Sequence, residues 1–372
     1  MKETVKPVKG RLLSLDALRG FDMLWIIGGS GVISALAENS DAGWIDALNT
    51  QMTHVTWNGF HFYDLIFPLF MFISGVAIPY SVKSALAKNP SKTKLLFKIF
   101  KRMIILVILG ILYNGVFKDG FENARYASVL GQIGIAYFFA SVIYICSKSI
   151  KAVLLWLAGI LLGVSILQLF IPVPGVGAGV FTPEGVMNGY IDRLYLPGRL
   201  AYFNGIFDAL GILSVVSAIG ITVMGITGGK ILQNSSFSEY RKTGMLAGIG
   251  LVSILLALAL SPVYPIIKVC WTTTYNFLAG GISFILMAIF YLIIDVWGYQ
   301  KWSFFFRIIG MNSVFIYLFG RIVPVGTITG FFVGWLINPL GGFGEVLGSV
   351  IIIAAEWLLL WFMYKKNVFV KV

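Results

Sequence analysis

Apolar runs of about twenty residues recur along the chain, at 19–37, 63–82, 99–117, 127–147, 151–172, 206–228, 243–262, 272–294, 304–322 and 343–364. The hydrocarbon core of a bilayer is ~30 Å thick, and a helix needs about 20 apolar residues to cross it. Lipid offers no hydrogen-bond partners to the backbone, so such segments must be helical. This one feature commits the chain to an all-α, polytopic membrane bundle of about ten spans. A further stretch at 324–340, "PVGTITGFFVGWLINPL", is apolar but short and broken by Pro and Gly. It reads as re-entrant, interfacial or part of a longer last helix. Only 12% of the 372 residues are charged, about half the share in a soluble domain. No room remains for a sizeable soluble domain, and 1–372 reads as a single transmembrane unit.

The net charge of +12 would suggest nucleic acid in a soluble protein. Its distribution says otherwise. With the N-terminus assigned to the cytoplasm and the spans alternating, 20 of the 28 Lys and Arg fall on the inner side. They are Lys2, Lys6, Lys9 and Arg11; the seven from Lys83 to Arg102; Lys148 and Lys151; Lys230, Arg241 and Lys242; Lys301; and Lys365, Lys366 and Lys371. Six fall outside: Lys118, Arg125, Arg193, Arg199, Lys268 and Arg321. Under the positive-inside rule both termini are then cytoplasmic, and no nucleic-acid partner is needed. The loop 38–62 lies on the far side. The basic-then-apolar N-terminus carries no small-residue cleavage site and reads as an uncleaved first helix. Cys146 and Cys270 form neither a disulfide framework nor a metal-ligand spacing, so no metal is expected. No internal repeat is found. Gly159 and Gly163 form a Gly-x-x-x-Gly pair, one option for a helix-packing face.

Ionisable groups at membrane depth are expensive and mark candidate sites. The only two histidines, His54 and His61, lie in "MTHVTWNGFHFYDLIFPLFMFISG", just ahead of Asp64. A carboxylate beside a histidine fixes its tautomer and supports the imidazolium, the arrangement of a general base. His61 is three residues from Asp64 and reaches it on the first helical turn. His54 is ten away and reaches it only if a turn at Asn58-Gly59 folds the loop back. Chemistry leaves both open. In "SLDALRGFDM", Asp16, Arg19 and Asp22 share a helical face, as a self-paired interfacial cluster or with Arg19 as a phosphate ligand. Gln132 and Tyr137 read as interhelical hydrogen-bonding groups. "YIDRLYLPGRLAYF" joins Asp192, Arg193 and Arg199 to four aromatic residues, as a sugar-binding surface or an interfacial belt. Asp208 reads as a first-turn aspartate complementing a helix dipole. Lys268, Trp271, Thr272 and Asn276 open one span, and Asn312-Ser313 falls within the next.

Five motifs then coincide in order: "RLLSLDALRGFDML", "HVTWNGFHFYDLIFPLFMFISG", "YIDRLYL", "KVCWTTTYNFLAGG" and "IGMNSVFIYL". Together they resemble the heparan-α-glucosaminide N-acetyltransferase family, over nearly the whole chain. The resemblance implies a membrane enzyme that carries the acetyl group of cytosolic acetyl-CoA to a glucosamine-type amine on the far side. It implies that His54, before Trp-Asn-Gly, is the active histidine and Asp64 its partner, and it matches Asn312 and Ser313 to the family's Gly-Met-Asn-Ser. On this reading Trp57, Asn58, Asp192, Lys268, Trp271, Asn312 and Ser313 meet the acceptor or the thioester oxygen. Arg19, Lys101, Arg102 and Asn312 meet the coenzyme, whose pantetheine arm threads a tunnel between helices. The expected location is the inner (plasma) membrane of a bacterium. The expected partners are the bilayer, an amino sugar or glycan and, as one option, a second copy in a homodimer. Departures from the family are Gln132 in place of an arginine, "DALG" from Asp208 in place of "DPEG", and the lumenal domain and extra first span of the animal enzyme. Two rivals are a secondary transporter of amino sugars with a His/Asp proton relay, and a non-catalytic scaffold.

Overall fold

The computed structural model describes residues 12–370. The inner-side charges Lys2, Lys6, Lys9, Arg11 and Lys371 lie outside the described residues. The described residues form sixteen α-helices and no named strand. They are α1 (Leu13–Leu24), α2 (Ser30–Glu38), α3 (Gly43–Gln51), α4 (Ile66–Lys88), α5 (Lys92–Tyr113), α6 (Val116–Asn123), α7 (Val129–Cys146) and α8 (Ile150–Leu169). Then follow α9 (Met187–Tyr195), α10 (Ile212–Gln233), α11 (Glu239–Leu260), α12 (Thr273–Tyr291), α13 (Ser303–Met311), α14 (Ser313–Ile322), α15 (Val325–Ile337) and α16 (Gly342–Lys365).

Among the described residues, eight helical stretches are long and apolar enough to cross a bilayer. The protein is therefore an all-α polytopic membrane protein. The two expected spans outside these eight differ for physical reasons. The run 99–117 is the apolar part of α5, whose first half carries Lys92, Lys94, Lys98, Lys101 and Arg102. The run 304–322 is not one helix: α13 and α14 meet at 71° across Asn312, whose backbone (φ −128°, ψ 34°) is not helical. The segment 324–340 is a short apolar helix, Val325–Leu340. The first span bends where α1 passes through a π turn, Trp25–Gly29, into α2. Gly28 sits there at φ 149°, and a Cβ would press on Ile353 of α16.

Helices α4, α10 and α12 form the interior, and α8, α11 and α16 present most of their apolar surface outward, as lipid-facing helices do. Small residues bring the inner backbones together, since packing rather than hydrophobicity drives association in lipid. A Cβ on Gly75 of α4 would fall on the carbonyl oxygen of Thr222 in α10, and one on Gly225 would fall on that of Phe72. Gly20 and Gly310 bring α1 and α13 together in the same way. By contrast, nothing lies within 4 Å of a Cβ on Gly159 or Gly163, so that pair packs against no described part of this chain. Gly75→Ala is therefore expected to destabilise by about 1–3 kcal/mol, the usual cost of overpacking, and Gly159→Ala to be neutral. Thermal melting in detergent checks both; a neutral Gly75→Ala would remove the close α4–α10 contact from the account.

Candidate active site

The loop ahead of α4 folds back on itself at the expected turn. Gly59 takes φ +125°, and its N–H donates to the carbonyl of Ile266 (2.9 Å). The chain then enters α4 through a short 3-10 turn, Phe62–Asp64. The Asp64 carboxylate is fully buried and ties the loop together: Oδ2 accepts from the backbone N–H groups of His61 (3.0 Å) and Val55 (3.3 Å). Oδ1 faces His54 Nδ1 at 2.8 Å.

The two histidines thus separate by geometry. His54 meets Asp64 through its ring, and its side chain is 54% exposed. The ring of His61 turns away, with Nδ1 3.1 Å from the carbonyl oxygen of Thr53, and only its backbone reaches Asp64. Tyr63 packs against the His54 ring, with centroids 4.9 Å apart.

A third group comes from the segment between α11 and α12. Lys268 Nζ lies 3.0 Å from Asp64 Oδ1 and 2.8 Å from His54 Nδ1. The segment is rigid for local reasons. Thr272 Oγ1 accepts from Ile267 N–H (3.1 Å), and Thr274 Oγ1 donates to the Pro265 carbonyl (2.9 Å). Trp271 is held at φ +48°, buried against Phe67 and Tyr275. Tyr275 in turn donates to the Asp64 carbonyl (2.8 Å). Burial pulls the Lys268 ammonium below the ordinary lysine range, and the Asp64 charge opposes that shift.

These groups stand at one end of a cavity of about 1260 Å³. Its walls follow α4 from Ile66 to Ala85, about 29 Å at 1.5 Å per residue and so close to the thickness of a hydrocarbon core. His54, Tyr63, Arg125, Tyr202, Lys268 and Trp271 line one end, and Arg19, Lys98, Lys101 and Arg102 line the other. Most of the wall between is apolar, with Ser74, Ser81, Tyr137, Ser313 and Tyr317 among the polar exceptions. Arg102 stacks over the Tyr137 ring at 4.7 Å, so Tyr137 serves this wall rather than an interhelical hydrogen bond. Gln132 does bond between helices, donating to the Ser214 carbonyl at 3.3 Å. Arg19 also lies 3.6 Å from Asp16.

Of the candidate residues, His54, Asp64 and Lys268 come together. Trp271, Ser313, Arg19, Lys101 and Arg102 line the cavity, and four do not. Trp57 donates to the Phe181 carbonyl (2.7 Å) and packs on Phe203 and Phe207, so it holds the long loop 170–211 in place. Asn58 sits exposed in the turn. Asn312 is 2% exposed and binds the C-terminal tail, donating to Val368 O (3.1 Å) and accepting from Val370 N–H (2.9 Å). Asp192 is buried at the start of α10, where Oδ1 accepts from Ile212 N–H (2.9 Å). Burial pushes its carboxyl up to about 7.

Asp208 holds a cation, Arg125, that lines the cavity. It precedes α10 by four residues and is fully buried. It accepts two bonds from Arg125, Nε to Oδ2 and Nη2 to Oδ1, both 2.8 Å. This Arg125–Asp208 pair, with Tyr202 beside it, is the part of the site that motif reading missed. The two residues are 83 apart, and no periodicity links them. Among the described residues no cluster of three or more His, Cys, Asp or Glu is placed to hold a metal ion.

Comparison with known proteins bears on this arrangement. Residues 11–183, which carry His54 and Asp64, match a family described as a domain of unknown function, DUF5009. Human (Homo sapiens) heparan-alpha-glucosaminide N-acetyltransferase is 27% identical over 379 aligned positions, and the mouse (Mus musculus) protein of the same name is 28% identical over 372. Each alignment covers 86% of this chain but 55% and 56% of the relatives. The chain spans about half the length of the curated relatives it matches.

Proposed function

Starting from a chain related along most of its length to heparan-alpha-glucosaminide N-acetyltransferases, we propose that it transfers the acetyl group of acetyl-CoA to the amine of a glucosamine-type sugar across the membrane. One observation carries this reading beyond the resemblance. The cavity along α4 joins a basic end to a His–Asp pair, two chemistries that a cytosolic phosphorylated donor and an external amine each require.

The chain's residues fit such a donor. Lys98, Lys101, Arg102 and Arg19 cluster at one end and offer the fixed cations that phosphates bind. The apolar wall between suits an extended pantetheine arm. The excess of Lys and Arg on that side supports a cytoplasmic position for it under the positive-inside rule, and with it the reading of His54 on the far side of a plasma membrane. Acetyl-CoA supplies a thioester carbonyl and a thiolate leaving group.

His54 takes a proton from the acceptor ammonium, and the freed amine attacks the carbonyl carbon as the C–S bond breaks. The proton held by His54 then goes to the departing thiolate, and the remaining extra proton on the new amide nitrogen is released to water at the exposed mouth. Asp64 orients the imidazole and offsets its positive charge while the proton is held. Ser313, Trp271 and Lys268 line the same cavity and are the polar and aromatic groups this reading assigns to the sugar and the thioester. A covalent route, with acetyl-imidazole on His54, uses the same groups.

Reconstitution in vesicles tests the reading, with acetyl-CoA on one side and candidate amino sugars on the other. Acetylated sugar is the expected product. Sugar accumulation driven by a proton gradient without acetyl-CoA would replace the enzyme with a transporter. Lys101→Ala and Arg102→Ala are expected to raise the KM for acetyl-CoA about tenfold or more, the scale of one lost charge-assisted hydrogen bond, with kcat little changed. An unchanged KM in both variants would remove the coenzyme from the basic end.

A further inference from the structure

Three atoms at the cavity mouth cannot all be satisfied in one protonation state. His54 Nδ1 is 2.8 Å from Asp64 Oδ1 and 2.8 Å from Lys268 Nζ, and Nζ is 3.0 Å from the same Oδ1. Asp64 is an ionised carboxylate, whose oxygens only accept, and its Oδ2 is already held by two backbone N–H groups. If Nδ1 carries the proton, it donates to Oδ1 and then faces the lysine. An ammonium there would set donor against donor. If Lys268 is an ammonium, it donates to both Oδ1 and an unprotonated Nδ1, and the imidazole proton must sit on Nε2. The two arrangements are exclusive, and they differ in whether Nε2 has a free lone pair.

We propose that Lys268 is a positioning residue that selects the tautomer of His54. As an ammonium it occupies Nδ1, leaves the proton on Nε2 and removes the base from the cavity. As an amine it releases Nδ1–H to Asp64, and Nε2 faces the acceptor with its lone pair. The consequence for rate rests on the reading of His54 as base or nucleophile; the tautomer selection does not. The other titratable and charged groups around Lys268 are His61 and Tyr63 from the loop and α4 entry, and Tyr275 from α12. Across the mouth stand Tyr202 and the Arg125–Asp208 pair. Asp208 neutralises Arg125 at short range, which leaves Lys268 as the cation against the imidazole. Burial of Lys268, 17% exposed at the side chain, favours its neutral form.

The chain has only two histidines, so 15N-histidine NMR of the full protein in nanodiscs reads the tautomer directly, with His61→Gln identifying each signal. Across about pH 6 to 10, spanning the imidazole and lysine ranges, neutral His54 in the wild type is expected to pass from the Nε2–H to the Nδ1–H form. Lys268→Met is expected to hold Nδ1–H throughout. Lys268→Arg, which keeps its charge at all these pH values, is expected to hold Nε2–H. An unchanged His61 signal shows that the loop remains folded in each variant. Acetyl transfer is expected to rise with pH in the wild type, to lose that rise in Lys268→Met, and to fall at least tenfold in Lys268→Arg. The same tautomer at every pH in the wild type and both variants would overturn the proposal. Tautomer switching without acetyl transfer would support the proposal and overturn the functional reading. Acetyl transfer without switching would do the reverse.

Discussion

His54→Ala is expected to lower acetyl transfer by about 10²–10⁴-fold, the usual worth of a positioned general base, while leaving the fold intact. The expectation follows from where the ring sits. It is half exposed at the mouth of the cavity and held from behind by a buried carboxylate. Truncation removes the proton acceptor without opening the core, because the loop is held by Asp64 through the backbone of Val55 and His61. His61→Ala gives the contrast. Its ring Nδ1 meets the Thr53 carbonyl rather than the Asp64 carboxylate, so it is expected to change acetyl transfer by less than about threefold. Thermal melting separates loss of chemistry from loss of fold. Radiolabelled acetyl-CoA without acceptor adds a second readout: acetylated protein that disappears in His54→Ala identifies the covalent route. Near-normal transfer by His54→Ala would end the assignment.

Asp208→Asn is expected to destabilise by about 3–5 kcal/mol, the cost of leaving a buried ion-pair partner uncompensated. Asp208 is fully buried and Arg125 is 21% exposed at its side chain, so Arg125 gains little from solvent when its partner is lost. The carboxylate also accepts the backbone N–H groups of Ala201 (3.2 Å) and Leu210 (3.0 Å). It thereby organises the turn that leads into α10 as well as the arginine. Replacing both partners by apolar residues, Arg125→Met with Asp208→Leu, is expected to recover much of the stability. Acetyl transfer should stay low, since Arg125 and Tyr202 line the mouth. Melting temperatures of the two singles and the double in detergent check this. An Asp208→Asn protein as stable as the parent would show the pair to be a surface contact.

Individual residues show how far motif reading extends. The hydropathy runs marked the helices because hydropathy is local: each run carries its own apolar face. The exceptions carry polar exceptions too. In α5, five cations occupy the first half, and three of them, Lys98, Lys101 and Arg102, line part of a cavity. The α13–α14 break falls on Asn312, and no residue pattern announces it, since neither Pro nor an interrupting charge lies there. The residues offered a turn at Asn58-Gly59 but left His54 and His61 both open to Asp64; the folded loop brings the His54 ring to it. Asp192 was read as a sugar-surface or belt residue and Asp208 as a helix-start aspartate. Both precede or flank the same span, and both fit a helix start. Only packing decides that Asp192 serves the first N–H groups of α10 and Asp208 pairs with Arg125. Asn312, expected at the thioester, binds the tail instead.

By itself the sequence determined the bilayer as solvent, the helical class and the local turn that carries His54, because each depends on residues a few positions apart. Tertiary structure alone decided which polar groups share the cavity. Lys268 reaches His54 across 214 positions and Arg125 reaches Asp208 across 83. Contacts of that range are set by which helices lie side by side, and that depends on close backbone approach at glycines such as Gly75 and Gly225 rather than on any pattern around the charged residues themselves.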